Sequence, residues 1–79
     1  MDIKFNTIPE VKAKAAGIEL QAVNFLKENG TYAAGNIASI HRVELIFIDG
    51  AKFQITWADA QTPEFERMEF KLQPSKPNA

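Results

Sequence analysis

Apolar and polar positions alternate most cleanly between Arg42 and Trp57. Val43, Leu45 and Phe47 precede Asp49-Gly50, and Phe53, Ile55 and Trp57 follow it. Two β-rich runs around an Asp-Gly pair are the strongest short-range hairpin signal a sequence carries. Burial then selects the register. A two-residue turn at Asp49-Gly50 would set Val43, Leu45 and Phe47 beside Lys52, Gln54 and Thr56. A three-residue loop, Ile48-Asp49-Gly50 with a G1 bulge at Gly50, sets them beside Phe53, Ile55 and Trp57. A slip of one residue turns every side chain to the other face, so the bulged loop, which makes one face wholly apolar, is predicted. Ile40, Arg42, Glu44, Ile46, Lys52, Gln54 and Thr56 then share the second face.

Upstream the period changes. Val11, Ala15, Ile18, Ala22, Phe25 and Asn29 recur at intervals of 4, 3, 4, 3 and 4, the spacing of one stripe on a helix. Thr7-Ile8-Pro9-Glu10 reads as a capping box with proline in the first turn. Asn29-Gly30 reads as a stop. These signals predict a helix over 8–29, flawed at Gly17, which costs about 1 kcal/mol against alanine inside a helix and can instead mark a helix end. Ile3 and Phe5 alternate with polar neighbours as in a short strand. Residues 37–48 read as a long strand. Over 64–72, Met68, Phe70 and Leu72 alternate as in a strand, although Thr62-Pro63-Glu64 is also a fair helix start; the strand is favoured. The predicted fold class is therefore α+β: one N-terminal helix packed on a small antiparallel β-sheet, in the order β-α-β-β-β. It forms a single domain over 1–73, and 74–79, rich in proline, forms a disordered tail.

Composition narrows the chemistry. The chain has 79 residues and no cysteine, so disulfides and thiolate metal sites are excluded. A chain this short buries only about 60% of its unfolded surface, which raises the prior for a homodimer. Nine basic residues face ten acidic ones with no basic run, which disfavours nucleic acid. No apolar run approaches the ~20 residues a membrane span needs, and Met1–Phe5 lacks the layout of a secretory signal. The expected location is cytoplasmic. His41 stands alone, without partners for a metal site, and is expected to pack on Trp57 across the hairpin. Ser39 shares its face if both are in a strand, but no nucleophile elbow surrounds it. Asp59, Glu64, Glu66 and Glu69 form an acidic group that reads as a solvated edge. No phosphate-loop pattern is present. No cofactor and no metal is expected.

Residues 17–59 also resemble a Tudor-type SH3-like barrel. Gly17-x-x-Leu20-x-Ala22 is similar to that family's first strand, Asn29-Gly30-x-Tyr32 to its first turn, and Phe47-x-Asp49-Gly50 with Phe53, Trp57 and Asp59 to its later hairpin. The resemblance implies an alternative fold, an all-β barrel. It also implies an alternative function, a reader of a peptide or methylated side chain through an aromatic cage of Tyr32, Phe47, Asp49 and Phe53. The pattern departs where the first cage aromatic falls on Asn24, and where 37–47 is too short for the extra hairpin.

By exclusion, the sequence favours a small non-enzymatic protein-interaction module, of adaptor or inhibitor type, acting through a sheet surface. The candidate interface is Ile46, Ile48, Arg42 and Lys52 on the second face, with a protein partner or a second copy. A minimal acid/base enzyme built on the acidic group is a further alternative.

Overall fold

The computed structural model describes residues 5–72. It is an α+β fold in which one N-terminal helix and a run of short helical turns cover one face of a three-stranded antiparallel sheet. The sheet is not closed into a barrel. The elements are α1 (Ile8–Ala15), β1 (Leu20–Leu26), a 3₁₀ turn (Ile37–Ser39), β2 (Arg42–Phe47), β3 (Lys52–Thr56), α2 (Trp57–Ala60) and α3 (Pro63–Glu66). Strands run in the order β1-β2-β3.

The hairpin has the expected register. Leu45 faces Phe53 and Val43 faces Ile55. The Phe47 amide donates to the Ala51 carbonyl and the Gly50 amide to the Phe47 carbonyl, closing the three-residue loop. Gly50 has φ +91°, the left-handed geometry of a G1 bulge. Val43, Leu45, Phe47 and Ile55 are buried in one cluster with Val11 and Leu20.

The helix is much shorter than the stripe suggested. Its start is as expected: the Glu10 amide donates to Thr7 Oγ1 and the Thr7 amide to the Glu10 carboxylate. It ends at Ala15, and residues 20–26, expected to be helical, form β1. Gly17 sits at φ +78°, beyond what an α-helix tolerates. Burial explains the preference. A helix carrying Ile18, Ala22 and Phe25 inward would turn Leu20 outward and leave Leu26 on the flank of the stripe, whereas β1 buries both. Each buried leucine is worth about 1.5–3 kcal/mol.

Three smaller expectations are also corrected. The strand expected over 37–48 begins only at Arg42, because Asn36 accepts locally from the Ala38 amide and its carbonyl from Ser39. Such local bonds divert a chain from a ladder. The strand expected over 64–72 is instead α3, capped by Thr62, whose hydroxyl accepts from the Phe65 amide. Its Phe65, with Met68 and Phe70, packs on the core, and only Leu72 bridges back to Leu20. At the other edge, Phe5 makes a single parallel bridge to Gln54. Ile3 and the tail at 74–79 lie outside the described residues.

Candidate functional site

The sheet has two ends of different character. At the hairpin end, Asp49 is tied to α1 by Lys14 and accepts from the Ala51 amide at 3.0 Å. Both contacts favour the charged carboxylate, and the Lys14 hydrogen bond, ahead of the Ala51 amide, holds its pKa below the ordinary value. Lys14 Nζ also lies 6.0 Å from the Phe47 ring centre. The loop is thus fixed to the body, and Ile48 projects from it 51% exposed.

The predicted interface residues are placed unequally. Arg42, Ile46 and Lys52 share the second face by register, and Ile48 follows at the loop. Lys52 is exposed and Ile46 is half-buried beside Ala22. Arg42 is already engaged. Its Nη2 donates to the Lys27 and Glu28 carbonyls at 3.1 and 3.2 Å, and its guanidinium lies 5.5 Å from the Phe5 ring centre. It fastens the turn that follows β1. The second face is also less open than its polar residues suggested. Glu44 and Gln54 are 6% and 5% exposed, and Asn24 donates to Glu44 at 2.7 Å.

At the opposite end, four large apolar side chains remain exposed: Phe5, Phe25, Tyr32 and Ile37. Phe25 stands edge-on to Trp57 at 5.8 Å. Between Phe5, Ile40 and Trp57 lies a notch of about 410 Å³, bordered by His41, Thr56 and Ala58. Ile40 and His41 also wall a second concavity, of about 480 Å³, with Lys27, Glu28 and Asn29. Sequence reasoning placed His41 beside Trp57, and the Trp57 amide does donate to the His41 carbonyl. It missed the notch, because Phe5 and Ile40 converge only through the edge bridge and the 3₁₀ turn. An aromatic directly after a strand was the one available signal.

The alternative cage does not assemble. Tyr32 lies beside Leu26 at one end of the sheet, while Phe47 is buried at the other against Phe53. Asp49 is occupied by Lys14. Ser39 lies in the 3₁₀ turn and its hydroxyl donates to the Asn36 carbonyl, so it is not a strand neighbour of His41. Glu64 reaches Lys12 at 4.0 Å. Among the described residues, no three of His, Asp or Glu gather in a way that could hold a metal ion, and no helix is long and apolar enough to cross a membrane. No protein-family model, curated protein or solved structure matches the chain.

Proposed function

We propose that this protein is a non-enzymatic protein-interaction module, of adaptor or inhibitor type, that binds through the ends and second face of its sheet. The observation that carries this reading is where the exposed apolar side chains stand. Phe5, Phe25, Tyr32 and Ile37 surround one end, and Ile48 and Leu72 stand at the other. Scattered apolar residues need no explanation, but clusters beside a rigid scaffold favour contact with another chain. The ionisable groups lend less support to catalysis. The lowered pKa of Asp49 is owed first to its hydrogen bond with Lys14 at the surface, and catalysis needs convergent polar groups in a cleft.

The hairpin tip offers the first surface, with Ile46, Ile48 and Lys52. The double variant Ile46→Asp/Ile48→Lys tests it. Circular dichroism should show the fold retained, and partners captured by the wild-type chain, or its self-association, should be lost. A folded double variant that keeps its oligomeric state and every partner would remove the tip from the interface.

A further inference from the structure

The notch at the open end has a chemistry that identifies an occupant. Its lining includes two aromatic side chains, Phe5 and Trp57, and the apolar Ile40, the side-chain types that line proline-binding grooves. Polyproline II segments dock in aromatic-lined grooves because they arrive already extended and lose little entropy. This chain carries the matching sequence pattern, Pro74-Ser75-Lys76-Pro77. Bound as polyproline II, at three residues per turn, its two prolines would fall on one edge, about 9 Å apart.

We propose that the notch between Phe5, Ile40 and Trp57 seats the Pro74–Pro77 segment of a second copy of this chain. This rests on the binding-module reading and adds the partner. Reach excludes the chain's own segment. Leu72 bridges Leu20 at the far end of β1, while the notch lies beyond the Leu26 end, across the sheet on β3. Leu20 to Leu26 alone spans about 20 Å, and crossing two strand spacings adds about 10 Å laterally. Pro77 is five residues past Leu72, at most about 17 Å away when fully extended. Charge agrees with the orientation. Lys76 is the one charged residue of the segment. Glu28 lines the adjoining concavity. Lys27 shares the wall with Glu28, so the prolines carry the binding and Lys76 sets its direction.

The chain has a single tryptophan, and it lines the notch, so fluorescence reports occupancy directly. The receptor is the full chain carrying Pro74→Ala and Pro77→Ala, which cannot compete for its own site. A synthetic peptide of residues 71–79 should shift Trp57 emission saturably, and the same peptide with Pro77→Ala should not. Sedimentation of the wild-type chain should show mass rising with concentration, and the double-proline variant should associate more weakly. Introducing Phe5→Ser, at a side chain 53% exposed, should abolish peptide binding with the circular dichroism spectrum unchanged. Ile46→Asp/Ile48→Lys should bind the peptide like the wild type, which separates this site from the hairpin tip. No emission change at millimolar peptide, equal binding of the Pro77→Ala peptide, or equal self-association of both chains would overturn the proposal.

Discussion

Asp49 shows how one side chain ties two elements. It accepts from Lys14 of α1 and from the Ala51 amide within its own loop. Its pKa is lowered in the folded chain, first by the Lys14 hydrogen bond. A carboxyl depressed on folding contributes stability that is present above its unfolded pKa, near the usual 3.9, and is lost as pH falls through the folded value. The pair is solvent-facing, so the contribution is small and falls with salt. An NMR titration of the Asp49 side-chain carboxyl should give a midpoint below the ordinary carboxylate range, returning toward it in Lys14→Met. An unchanged midpoint in that variant would assign the shift to the Ala51 amide instead. Arg42 plays a comparable part at the other end, where its guanidinium holds the Lys27 and Glu28 carbonyls and leaves Nε buried without a partner. An arginine in a strand pattern reads as a surface charge; Asn29-Gly30 marks the turn it fastens, but not the contact between them.

At the scale of elements, the hairpin and the start of α1 were legible because their signals are local. Asp-Gly, the alternation around it and the Thr7-Glu10 box each act within a few residues. The rest depended on competition between distant surfaces. Residues 18–29 satisfy a helical stripe, yet the alternative of pairing with β2 buries Leu20 and Leu26. Gly17 records the outcome. Inside a helix, Gly17→Ala would stabilise the chain by about 1 kcal/mol. At φ +78°, with no atom within 4 Å of an added Cβ, the cost is the backbone's alone, about 1–2 kcal/mol of destabilisation. Chemical denaturation of Gly17→Ala should therefore show a lower midpoint than the wild type. A higher one would return 8–29 to a continuous helix. The candidate site was legible in part for the same reason. Ile48 at the loop follows from the register, whereas the notch needs Phe5, Ile40 and Trp57, brought together from three separate segments.

In the whole molecule, the sheet leaves little free edge. The outer side of β1 is met by Lys71 at Leu20 and by Ala33 at Phe25, and β3 is met by Asn6 at Gln54. Short bridges of this kind blunt strand edges against uncontrolled pairing. The association proposed above uses side chains at the ends of the sheet and leaves these bridged edges untouched. The three-stranded sheet depends on β1 being a strand, the element whose sequence reads most plausibly as something else. The most direct test is a nuclear Overhauser contact between the Hα atoms of Val23 and Leu45. These residues face each other across β1 and β2. The Phe25 carbonyl points outward to the Ala33 amide, and with a period of two Val23 does the same. Val23 and Leu45 therefore form a non-hydrogen-bonded pair, with the closer Cα approach of about 4.5 Å. A strong Hα–Hα contact between them is the predicted result. Its absence, with sequential amide–amide contacts running through 19–25, would contradict the three-stranded sheet.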